Sequence, residues 1–93
     1  MSKKREKLQV IFDILKSIMD KGGKIKPTHL MYKSNLSHTM MKEYLNELMS
    51  KGFISEEFQK RGKNYILTDK GYKYLTEYKV VLSFLENFGL GQN

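Results

Sequence analysis

Three apolar stripes of helical period, with two short β-prone runs between the second and the third, leave this 93-residue chain few ways to fold. Leu8, Ile11, Phe12, Leu15, Ile18 and Met19 form the first stripe, one broad face of an amphipathic helix. Val10 and Ile14 lie off that face, which predicts contact on a second side of the helix, by another element or another subunit. Gly22-Gly23 ends it, because glycine tolerates left-handed cap geometry. Residues 24–51 then read as two short helices at an angle. Pro27 suits a first helical turn, so a helix runs from about Pro27 to Tyr32, with Leu30 and Met31 as core candidates. Lys33 to Leu36 form a turn, and Ser37 is an N-cap. Met41, Tyr44, Leu45 and Leu48 are the second stripe, closed by Gly52.

The two short runs decide the architecture. Phe53–Phe58 and Tyr65–Leu67 have the composition of strands, and Gln59-Lys60-Arg61-Gly62-Lys63-Asn64 between them reads as a hairpin tip with three cations and no acid. Helix, turn, helix and basic-tipped hairpin is the order of a winged helix-turn-helix: mainly α, with a small β-hairpin. A final helix of about 30 Å starts at the Thr68 cap and runs to about Phe88, where Gly89 and Gly91 stop it. Tyr74, Tyr78, Val81, Leu85 and Phe88 follow coiled-coil spacing, and Tyr72, Leu75 and Leu82 form a neighbouring stripe. Two stripes need two partners. One is the domain's own core; the expected second is another copy of the chain, the alternative being a monomer whose small core consumes both. Residues 1–67 are thus expected to form the head with a basic N-terminal arm, and 68–93 a dimerisation helix, within one structural domain overall.

Charge and composition narrow the function. Seventeen Lys and Arg against ten Asp and Glu give +7, which favours a polyanionic partner. Most of the excess sits in two places: the arm, where Lys3, Lys4, Arg5 and Lys7 face only Glu6, and the hairpin tip. The absence of Cys excludes disulfides and thiolate metal sites. His29 and His38 have no ligand set around them, and neither a catalytic constellation nor a phosphate-cradling glycine loop is present, so the chain reads as a non-enzyme without metal or cofactor. The six Met read as core filling, and the aromatics do not form a single-strand stacking platform. No apolar run approaches the roughly 20 residues that cross a bilayer, and the Lys-rich start lacks a signal-peptide pattern, so a soluble intracellular protein is expected.

On the second helix of the motif, the apolar stripe leaves Thr39, Lys42, Glu43, Asn46 and Ser50 on or beside the free face. In helix-turn-helix docking that helix enters the major groove of DNA with its N-terminal part nearest the bases. Ser37, His38 and Thr39 offer free backbone N–H groups to a phosphate. Asn46 suits adenine, and Thr39 a thymine methyl or a phosphate. Lys33, Ser34 and Asn35 are expected to serve as backbone clamps in the turn, and Lys60, Arg61 and Lys63 at the tip to contact phosphate or the minor groove, the alternative being cations that serve solubility alone. Glu43 and Glu47 oppose broad phosphate contact along this helix, and the few donors there tilt the reading toward low sequence specificity.

Four stretches carry a resemblance: Lys7-Leu8-Gln9-Val10-Ile11-Phe12-Asp13-Ile14-Leu15, Met31-Tyr32-Lys33-Ser34-Asn35-Leu36-Ser37, Leu48-Met49-Ser50-Lys51-Gly52-Phe53-Ile54 and Tyr65-Ile66-Leu67-Thr68-Asp69-Lys70-Gly71. Over about residues 5–85 the chain resembles the archaeal winged-helix proteins grouped as the Sulfolobus 10a family of chromatin-associated DNA-binding proteins. That resemblance implies a homodimer joined by an antiparallel coiled coil of the last helices, with two heads facing double-stranded DNA. The expected function is that of a nucleoid-associated protein or transcriptional regulator in the cytoplasm, with no membrane and no small-molecule substrate among its partners. The alternative is a protein-interaction module that uses the fold and the last helix without DNA.

Overall fold

The computed structural model describes residues 3–34 and 36–89. Its elements are α1 (Lys3–Asp20), β1 (Lys24–Ile25), α2 (Pro27–Lys33), α3 (His38–Ser50), β2 (Ile54–Gln59), β3 (Gly62–Leu67) and α4 (Asp69–Asn87), a mainly α winged helix-turn-helix with a long last helix. Local chemistry sets the boundaries. Gly22 and Gly23, at φ 80° and 92°, turn the chain out of α1. Pro27 opens α2. The Met40 N–H donates to Ser37 Oγ at 3.1 Å to start α3.

Two features differ from expectation. The turn after α1 delivers β1 alongside β3, so the sheet has three antiparallel strands in the order β1-β3-β2. Lys24 pairs with Ile66 and Ile25 with Tyr65. A two-residue strand shows no period of its own and exists only through a partner remote in sequence. The hairpin is also tighter than a six-residue tip. Gln59 pairs with Gly62, which leaves a loop of Lys60 and Arg61 alone and places Lys63 and Asn64 within the ladder. Gly62, at φ 132°, supplies the backbone that lets the chain reverse so abruptly.

The core joins Ile11, Ile14, Leu15 and Ile18 of α1 to Leu30, to Met41, Leu45 and Leu48 of α3, to Ile25, Ile54, Tyr65 and Leu67 of the sheet, and to Leu75 of α4. Burial of Ile14 confirms the second contacted side of α1, while Leu8, at the outer end of the first stripe, stays exposed. Each fully buried Leu or Ile contributes about 1.5–3 kcal/mol relative to an exposed one, so this cluster fixes how α3 and the hairpin are held together.

The junction between wing and last helix is a lock. Thr68 Oγ1 lies 2.6 Å from the Gly52 carbonyl and 2.9 Å from that of Phe53, and it accepts the Gly71 N–H at 3.1 Å. Lys70 Nζ donates to the Lys51 carbonyl at 2.6 Å and stands 4.8 Å over the Phe53 ring. Gly71 sits directly against the Phe53 carbonyl. The Leu67-Thr68-Asp69-Lys70-Gly71 stretch therefore has a physical purpose: it ties the start of α4 to the end of α3.

Beyond that lock α4 divides in two. Its first half docks on the head: Tyr78 stacks on Phe12 with centroids 4.6 Å apart, Tyr74 meets Phe53 edge-on at 5.5 Å, and Tyr78 donates to Gln9 Oε1 at 3.3 Å. Its second half carries Val80, Val81 and Phe84 exposed, with Leu82 and Leu85 half-buried, and Phe88 at its C-cap is exposed as well. The outline is accordingly long, 50 × 26 × 22 Å. No helix among the described residues is long and apolar enough to cross a membrane.

Candidate nucleic-acid interface

Packing of α3 against the core fixes which side of it is free. With Met41, Leu45 and Leu48 buried, His38, Thr39, Lys42, Glu43, Asn46 and Ser50 are exposed. Ser37 Oγ is already used as the cap acceptor for Met40, which leaves its hydroxyl proton to donate outward. Lys33 is exposed at the end of α2. Ser34 is turned back on its own loop, its Oγ donating to the Met31 carbonyl and accepting from the Leu36 N–H, both at 3.4 Å. That geometry makes Ser34 a turn former before it is a clamp. Asn35 lies outside the described residues, as do the side chains of Lys3, Lys4 and Arg5 in the arm.

Lys7 of the basic arm and Glu47 of α3, which the sequence left unpaired, are engaged. Lys7 pairs with Glu47 at 3.0 Å, and Lys51 pairs with the same carboxylate at 2.9 Å. The hydrogen bond from Lys51, and next that from Lys7, hold the Glu47 carboxyl below the usual carboxylate range. The acid that opposed phosphate contact on α3 is therefore neutralised by two cations; among the described residues Glu43 has no such partner. Because folding depresses the Glu47 pKa, the pair stabilises the protein above the ordinary carboxylate pKa near 4.5 and loses that contribution as pH falls through the lower folded value. Glu47→Gln is expected to lower the melting temperature slightly at pH 7, with the two curves converging in the acid range. Parallel melting-temperature curves across that range would contradict the assignment.

The wing shows the larger correction. Lys63 is not an uncompensated tip cation: it reaches Glu56 across the hairpin at 2.6 Å, with its ammonium 5.2 Å from the Tyr65 ring centroid. The Glu56 hydrogen bond raises the Lys63 pKa above the ordinary lysine value, so its charge is retained but committed. Glu57 is matched in the same way by Lys24 at 2.9 Å, which lowers the Glu57 pKa. Both acids of β2 are thus neutralised from neighbouring strands, and Lys60 and Arg61 stand at the loop with no acidic partner among the described residues. Lys24 and Glu57 escape sequence reasoning because their pairing needs β1. Phe58, exposed beside the loop, escapes it because a strand composition gives no outward signal.

Elsewhere the geometry is less suited to a polyanion. A cleft of about 370 Å³ between α1, α2 and the following turn is lined by Val10, Ile14, Leu30 and Leu36 together with Asp13, Lys16, Asp20 and Lys33; Asp20 pairs with Lys16 at 3.0 Å, so the cleft gathers no excess of positive charge for a polyanion. Among the described residues no group of three His, Cys, Asp or Glu could hold a metal ion. Of the expected seam, Tyr74 and Tyr78 are taken up within their own chain, whereas Val81 and Phe88 are exposed and Leu85 is half-buried.

A family model described as winged helix-turn-helix matches residues 4–86. The fold is similar to the crystal structure of Sso10a-2, a DNA-binding protein from Sulfolobus solfataricus, with a TM-score of 0.72 and 23% identity over 87% of this chain and 82% of that one. No curated protein sequence matches the chain.

Proposed function

We propose that this chain, which belongs to the winged helix-turn-helix family, is a dimeric, non-enzymatic binder of double-stranded DNA acting as a nucleoid-associated protein or transcriptional regulator. The observation that carries the reading is the pair Lys60 and Arg61, without an acidic partner among the described residues, on a two-residue loop whose strand follows directly on α3. The likeness in fold to a protein described as DNA-binding supports it.

In this reading α3 lies in the major groove. Ser37, His38 and Thr39 meet a phosphate at its N-terminus, Lys42 meets the backbone, and Asn46 faces a base edge. Lys33, Ser34 and Asn35 flank the same strand, and Lys60 and Arg61 reach phosphates or the minor groove. Lys63 serves by neutralising Glu56; a contact of its own with DNA has to share or break that pair. The exposed face is short of donors and, among the described residues, gives Glu43 no cationic partner, which favours shape and backbone recognition over a strict sequence code.

The second half of α4 is assigned to a second copy of the chain. Val81 and Phe88, with Val80 and Phe84 beside them and the half-buried Leu85 between, form an apolar strip that a monomer leaves largely in water. Residues 68–93 then act as the dimerisation helix of a head formed by 1–67. The antiparallel orientation follows from the Sulfolobus 10a resemblance.

Light scattering combined with anisotropy of a labelled duplex across a salt series tests both parts. The expected result is a mass near twice 11.0 kDa and an affinity that falls steeply with salt, by about 0.9 log units per tenfold salt for each phosphate contact. A dimer with no duplex affinity favours the protein-interaction reading, and a salt-independent affinity overturns the interface. A monomeric mass removes the role given to the second half of α4.

A further inference from the structure

We propose that Phe58 is an unstacking wedge: with the wing seated on a duplex, its ring enters the minor groove and inserts between two base pairs. The inference rests on the duplex-binding reading and adds a contact that carries no charge.

Phe58 stands opposite Lys63, one pair in from the Gln59–Gly62 pair that closes the loop. By strand alternation it shares a sheet face with Ile54 and Glu56, and across the ladder with Tyr65 and Leu67. At the base of the wing that face is core, since Ile54, Tyr65 and Leu67 are buried. The hairpin outruns the core, so the last apolar side chain on the face is left 73% exposed. Lys63, the neighbour whose stem would otherwise lie over the ring, turns toward Glu56 and Tyr65 instead. Among the described residues Phe58 has no aromatic or cationic partner.

A single exposed Phe is ordinary; its surroundings here are not. Lys60 and Arg61 follow two and three residues later, as the loop just beyond the Gln59–Gly62 pair. Glu56 and Glu57 are already paired with Lys63 and Lys24. The ring therefore sits in a locally cationic setting, and its complement must offer anionic charge around an apolar, stackable interior. Duplex DNA has that chemistry. A minor groove about 6 Å wide does not admit two strands side by side, yet it admits one side chain from a hairpin tip. Apolar side chains inserted from that groove unstack a step and kink the duplex by about 20–90°. Pyrimidine–purine steps open most easily, so the wedge gives the protein a preference for TA or CA steps beneath the wing without any base hydrogen bond.

The chain contains no Trp, so Phe58→Trp places a single reporter at the site. With the full chain and a duplex carrying a central TA step, the expected result is retained affinity, quenched Trp emission and protection from acrylamide. Phe58→Ala is expected to lower affinity about tenfold, the scale of losing one stacked base. It should leave the salt slope unchanged, because a phenyl ring releases no counterion. Variants that bind like wild type, with the Trp neither quenched nor protected, overturn the wedge while the duplex reading stands. Loss of dimer mass in Phe58→Ala places the ring between copies of the chain and overturns it as well. Failure of wild type to bind duplex at all removes the reading on which the wedge rests.

Discussion

Replacing Gly71 with alanine is expected to destabilise the protein by about 2 kcal/mol or more, although alanine is the better helix former by about 1 kcal/mol. A Cβ at Gly71 would meet the Phe53 carbonyl and come within 2.5 Å of Leu67 Cδ1. The carbonyl has little freedom to retreat, since it accepts from the Thr68 N–H at 3.2 Å and lies 2.9 Å from Thr68 Oγ1. Relief therefore requires α4 to lift from the wing, which breaks the lock and frees the helix that carries the apolar strip. For a domain of this size the melting temperature should fall by about 10 °C. Gly22→Ala is the comparison: that residue has φ 80° with nothing within 4 Å of a Cβ, so only left-handed backbone strain of about 1–2 kcal/mol opposes it. Urea unfolding of the two variants separates the causes. A Gly71→Ala protein as stable as wild type would show that the close approach has no energetic weight.

What the sequence revealed of this fold follows from the range of the interactions involved. The three long helices were legible because a stripe such as Met41, Leu45, Leu48 announces its own period, and the caps at Ser37 and Thr68 because a cap is a contact within a few residues. β1 was not legible, since Lys24 and Ile25 become a strand only when Ile66 and Tyr65 arrive beside them. The pairing of Lys63 with Glu56 depends on a register that the tight loop at Gly62 sets, so a cation counted as free proved to be committed. Heptad spacing identified the apolar positions of α4 but not their partners: Phe12 claims Tyr78 and Phe53 meets Tyr74, and the remainder of the strip is left outside. The Thr68 to Gly71 stretch was recognisable as a motif while its cause, a backbone carbonyl pressed against a helix, is visible only in three dimensions.

Lys60 and Arg61 carry the largest functional prediction. If both contact phosphate, replacing them together with glutamine removes about 1.8 from the slope of log affinity against log salt for each head engaged. By the same relation, affinity at about 0.1 M salt falls about 60-fold relative to the high-salt limit near 1 M. A general loss of positive charge cannot be mistaken for this if Lys73→Gln/Lys79→Gln is measured alongside. Those lysines are exposed on α4, and either pair of substitutions takes the net charge from +7 to +5.

Salt-series anisotropy of wild type and these two double variants on one duplex is therefore the decisive measurement. The expected result is a shallower slope and weaker binding for Lys60→Gln/Arg61→Gln, with the α4 pair close to wild type. Equal shifts in the two variants, or none in either, would show that the wing does not touch the duplex.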